Sequence, residues 1–141
     1  MDFIPQLSIF LQNETGSLNT ACRILAENNI DITTLSVADT REYGILRLLV
    51  REHETAKKLL LDAGFVVKTT PVLGVLVDDR PGGLAEILQV LTDRAIDVLY
   101  MYAFTSGKGG KAVMVFRFAD PEAARRVLAD AGFQTLGKDD F

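Results

Sequence analysis

The run Asp79-Arg80-Pro81-Gly82-Gly83-Leu84 sets a carboxylate, a guanidinium and two glycines just ahead of an apolar stretch with helical spacing. A glycine at a helix start lets a ligand come close to the backbone. The unpaired N–H groups of the first helical turn then attract a carboxylate by about 0.3–1 kcal/mol, and more when the site is buried. The same arrangement opens the first half of the chain as Asn13-Glu14-Thr15-Gly16-Ser17-Leu18. Each half adds an aspartate, Asp31 or Asp97, after its first helix and at the entrance to its second strand, where it can accept from an ammonium group. Together these are the two halves of a zwitterion site. Its candidate residues are Asn13, Glu14, Gly16, Leu18 and Asp31 in one half, and Asp79, Arg80, Pro81, Gly82, Leu84 and Asp97 in the other. Singly, each also has a structural reading, the glycines as tight-turn residues and the aspartates as solvated turn acids.

The elements that must hold these residues follow from a repeat. Gly16 aligns with Gly82, Asp31 with Asp97, and Leu61-Asp62-Ala63-Gly64-Phe65 with Ala129-Asp130-Ala131-Gly132-Phe133. Within each copy the apolar period switches in one order. Leu7, Ile9 and Leu11 alternate as in a strand. Leu18, Ala21, Cys22 and Leu25 then share one helical face, as do Leu84, Ile87, Leu88 and Leu91. Residues 33–40 and 45–50, and 98–105 and 112–118, are rich in β-branched and aromatic residues and read as hairpins. The glycine-rich segment 106–111 closes the second of them. A second helix carries Ala56, Leu59, Leu60 and Ala63, matched by Ala124, Val127, Leu128 and Ala131. Asp120-Pro121-Glu122 opens one of these helices with a cap, a proline and an early acid, and Gly64 and Gly132 stop them. A short last strand completes β-α-β-β-α-β twice, with Thr70-Pro71 as the linker.

The expected fold is therefore α+β: two ferredoxin-like repeats, 1–70 and 71–141, side by side. Each is small enough to need burial against a neighbour. Pairing the two second strands would remove two sheet edges at once, giving one eight-stranded antiparallel sheet with four helices on one face. Val98 to Phe104, apolar on both faces, suits the centre of such a sheet.

Composition excludes several functions. A net charge of −4 without clustered Lys or Arg works against a nucleic-acid partner. No apolar run is long enough for a membrane span, and the first residues lack the basic start of a signal peptide, so a cytoplasmic address is expected. One cysteine (Cys22) and one histidine (His53) cannot build a structural zinc site, and no metal or cofactor is expected. No nucleophile stands with a matched base, and Gly107-Lys108-Gly109-Gly110-Lys111 lacks the spacing of a phosphate loop. An acylphosphatase would need an arginine in its first loop, where only the second copy has one, Arg80. An RNA-binding module of the same topology would use Phe116 and Phe118 for stacking, but the first copy has Leu48 and Val50 there.

The Asp79-Arg80-Pro81-Gly82-Gly83-Leu84 turn resembles the D-x-P-G-x-L turn of ACT domains, and the resemblance extends through both repeats over nearly the whole chain. It implies a small regulatory protein without enzymatic activity, an allosteric sensor that binds a free amino acid where two ACT units meet, Asn13 working with Asp97 and Asp79 with Asp31. The first copy departs from the pattern, with Asn13 where the turn usually has Asp or Asn and Thr15 where proline is common. The resemblance further implies a separate target protein or enzyme, and a homodimer. An interaction scaffold without ligand binding is the alternative.

Overall fold

The computed structural model describes residues 2–12, 14–39 and 43–140 of the chain. Contacts divide it into two compact units, Pro5–Thr70, and Met1–Ile4 together with Pro71–Phe141. The first unit holds β1 (Ile4–Gln12), α1 (Ser17–Glu27), β2 (Thr34–Asp39), β3 (Tyr43–Leu49), α2 (His53–Asp62) and the start of β4 (Val66–Asp78). The second holds the rest of β4, then α3 (Gly83–Asp93), β5 (Val98–Ala103), β6 (Lys111–Phe118), α4 (Pro121–Asp130), β7 (Thr135–Leu136) and a single 3₁₀ turn at Lys138–Asp140.

In the first unit the strand order is β4-β1-β3-β2, and Leu7 and Ile9 of β1 stand opposite Leu48 and Leu46 of β3. These four side chains are buried together with Ala21 and Leu25 of α1 and Ala56 and Leu60 of α2. The alternating residues of the strands thus meet the helical stripes, and both helices cover one face. On the opposite face of β1 the polar groups are also satisfied, Gln6 donating to Ser8 at 3.0 Å and Ser8 sharing a 3.2 Å bond with Thr70. The second unit has the order β7-β4-β6-β5. Its core joins Leu73 and Val75 of β4, Ile87 and Leu91 of α3, and Ala124 and Leu128 of α4 to Phe116 and Phe118.

Three sequence expectations change. The sheet has seven strands rather than eight, because Thr70-Pro71 is no linker but lies inside the 13-residue strand β4. The residue before a proline is biased to extended backbone, and the proline ring is itself compatible with a strand that does not need its missing N–H. Next, among the described residues β2 has β3 and β5 has β6 as its one neighbour in the order, so the expected pairing of the two second strands is not found there. Finally, β5 is an edge strand despite its apolar character. A register shift between Val98 and Tyr100 turns Leu99 out to 55% exposure, while Tyr100 and Tyr102 stay half-buried, as suits rings with a polar tip.

Candidate functional site

Each first helix begins at a glycine that only glycine adopts easily: Gly16 has φ +95° and Gly82 φ +87°. Among the described residues neither helix start receives a side-chain cap, so the turn leaves backbone donors facing outward. In the first unit Ser17 N–H donates to Glu14 O at 3.3 Å, and Thr20 closes on Gly16 O through both its amide (2.9 Å) and its hydroxyl (3.0 Å). Among the described residues no heavy atom outside its neighbours lies within 4 Å of where a Gly16 Cβ would stand. This turn is open.

The second turn is built on the same backbone and covered differently. Arg80 spans it, donating to Asp78 at 3.3 Å on one side and to both carboxylate oxygens of Glu86, in the first turn of α3, at 2.8 and 3.0 Å. Lys111 adds a 3.2 Å ion pair to Asp78. The Lys111 ammonium, with Arg80 behind it, holds the Asp78 carboxyl below its ordinary value of 3.8, and the Glu86 carboxylate raises Arg80. Gly83 is buried, and a Cβ there would lie 2.1 Å from Asp78 O. Ser17 holds the matching place in the first unit, so the two turns differ in backbone packing as well as in charge.

Two hollows adjoin the open turn, both within the first unit. One, about 510 Å³, lies between Glu14, Gly16 and Leu18 on one side and Val37, Asp39 and Gly44 on the other. The second, about 590 Å³, shares Glu14 and Tyr43 with it and continues past Ser17 and Thr20 to Phe10, Phe65 and Val66. Phe10 and Tyr43 meet edge to face, their centroids 5.5 Å apart. Glu14 and Asp39 are exposed and enter no ion pair among the described residues.

Within each unit, some of the predicted residues lie together. Glu14, Gly16 and Leu18 lie together at the first turn, Asn13 falls outside the described residues, and Asp79, Arg80, Pro81 and Gly82 form the exposed second turn. Leu84 is packed against the core. Asp31 and Asp97 are exposed beyond the far ends of α1 and α3. An 11-residue helix, about 16 Å long, separates each from the turn of its own unit. The sequence reading missed Asp39, Phe10 and Phe65. Asp39 lies within the strand read at 33–40 and Phe65 just past a helix stop, and neither position carries a binding motif of its own. Phe116 and Phe118 are buried, stacked rings with centroids 5.5 Å apart, closed to any nucleobase. Among the described residues no group of three or more His, Cys, Asp or Glu is placed to hold a metal ion, and no helix is long and apolar enough to cross a membrane.

Two βαββαβ units in one chain, each opening its first helix at an uncapped left-handed glycine, define a tandem pair of small ferredoxin-like modules. The model of the ACT domain pair matches residues 2–141, and the chain belongs to that family, whose domains are regulatory modules. A Bacteroides thetaiotaomicron protein of known crystal structure is 33% identical, with a TM-score of 0.90 over 98% of this chain and 94% of that one. The regulatory subunits of aspartate kinase from Thermus thermophilus and Thermus flavus are each 14% identical, with TM-scores of 0.63 and 0.61 over 93% of this chain and 94% of theirs. That likeness is one of fold. No curated protein matches the chain.

Proposed function

We propose that this chain is a regulatory sensor of a free amino acid, without catalytic activity of its own, and that the ligand is held at the turn between β1 and α1 of the first unit. The observation that carries this reading is the open turn at Gly16, uncapped and bordered by two carboxylates that no cation neutralises among the described residues. Outward amides suit the ligand's carboxylate, and Glu14 or Asp39 suits its ammonium group, a charge-assisted bond stronger than a neutral one. Binding that favours one conformation of the pair is passed to a separate target protein.

A thermal-unfolding screen against the twenty amino acids tests the reading. At about 100 times Kd a ligand adds roughly 2.7 kcal/mol to stability, which raises the unfolding midpoint of a chain this size by several degrees. Silence across the set, with cooperative unfolding in the control, would favour an interaction scaffold. Glu14→Gln should then weaken any binding found, whereas Asp31→Ala should leave it unchanged. The reverse result would return the ammonium site to the acid after α1.

A further inference from the structure

We infer that the ligand of the first unit is an amino acid with a large apolar side chain, held in the hollow beyond Thr20. This rests on the reading that the open turn binds an amino acid, and goes further by naming the class. The hollow of about 590 Å³ falls within the range of small-molecule sites, about 300–1,000 Å³, and exceeds what an amino acid with a short side chain would fill. Phe10, Tyr43, Phe65 and Val66 line it, and among the described residues Glu14 is its one formally charged lining residue.

The placement of polar and apolar groups sets the ligand's direction. Ser17 and the uncapped start of α1 lie at the end shared with the smaller hollow, where Glu14 and Asp39 also stand. The α-amino and α-carboxyl groups therefore occupy that end, and the side chain extends toward the aromatic residues. Phe65 is half-buried against the core, which fixes the ring, and Phe10 is held between the Tyr43 edge and Lys68, whose Nζ lies 5.7 Å from its centroid. Rings held in this way offer a pre-formed apolar surface, and a bound ligand need not order them. An acidic side chain would meet Glu14, and the described lining residues include no cation to offset it.

Isothermal titration of the full chain with phenylalanine, leucine, glycine, aspartate and lysine separates the possibilities. Phenylalanine or leucine should bind at least about tenfold more tightly than glycine, aspartate or lysine, the order expected of a few buried methylenes or a ring. Phe65→Ala should weaken phenylalanine binding about tenfold. Because Phe65 also supports the core, Val66→Glu serves as the second variant: Val66 is 59% exposed, so the fold persists while a charge enters the apolar wall. Preference for glycine, aspartate or lysine, or undiminished phenylalanine binding in both variants, overturns the assigned class and leaves the amino-acid reading standing. The absence of heat with every amino acid, confirmed by unchanged thermal unfolding, removes the reading itself and this inference with it.

Discussion

Gly16 and Gly82 share a left-handed backbone, and so do two residues that are not glycine: Asn29 and Ala95, both with φ +56°. Asn tolerates that region through its short polar side chain, while alanine incurs about 1–2 kcal/mol from its Cβ. Glycine at the same place would lose about 0.5–1 kcal/mol of that gain to chain entropy. Ala95→Gly should therefore stabilise the second unit by roughly 0.5–1 kcal/mol, read as a rise of a few degrees in thermal unfolding. An unchanged or lower midpoint would mean that the Ala95 methyl makes a contact worth more than its strain. At the same scale Asp78 gives a pH signature. Its carboxyl is depressed by Lys111 and then Arg80, so its contribution is fully present above the unfolded-state pKa and is lost as pH falls through the lower folded value. Lys111→Met should move the Asp78 midpoint up toward 3.8 in a carboxylate NMR titration, and no movement would assign the depression to Arg80 alone. The glycines of the turns were legible in the sequence because they recur. The ion pairs were not, because Glu86 reaches Arg80 and Lys111 reaches Asp78 only once α3 and β6 are folded beside the turn.

All four helices end by one rule. Ile30 N–H returns to Leu25 O, Phe65 to Leu60, Ile96 to Leu91 and Phe133 to Leu128, each across a left-handed residue and each bringing an apolar side chain back toward the helix. Gly64 and Gly132 announced two of these ends in the sequence, whereas Asn29 and Ala95 carried no comparable signal. The start of α4 was equally readable: Asp120 accepts from Ala123 N–H at 3.1 Å, with Pro121 in the first turn. Strand ends were less so. Proline normally punctuates a chain, yet Thr69, Thr70 and Val72 favour extended backbone on both sides of Pro71, and β4 runs through. Helical spacing also overstated two core positions. Leu84, Ile87, Leu88 and Leu91 share a stripe, but only Ile87 and Leu91 are fully buried, since a helix on a sheet presents a narrower face than its apolar arc. Leu91→Ala should cost about 2–5 kcal/mol through the cavity it leaves, and half-buried Leu88→Ala clearly less. Denaturant unfolding of both variants measures the difference, and equal losses would place Leu88 as deep in the core as Leu91.

Duplication made two units of one topology, and it did not make two equal turns. The repeat was visible as aligned glycines and aspartates, and from those alone the two turns look interchangeable. What separates them is three-dimensional: Arg80 lies across the second turn between Asp78 and Glu86, and Gly83 is closed onto the Asp78 carbonyl. Over the first turn no described residue beyond the chain neighbours comes within 4 Å of where a Gly16 Cβ would stand, and the residue in the place of Arg80 is Glu14. An exposed ion pair is worth at most about 1 kcal/mol, so Arg80 impedes access to the second turn without sealing it against a strong ligand. A calorimetric titration with an amino acid found in the thermal screen should therefore give one molecule bound per chain. Arg80→Ala, which uncovers the second turn and leaves the first untouched, should keep that binding at its original affinity and can only add a weaker second event. If Arg80→Ala instead abolishes binding while thermal unfolding stays cooperative and near its original midpoint, the guanidinium is the ligand's carboxylate partner. The sensing turn would then be the second, with its Glu86 contact displaced on binding.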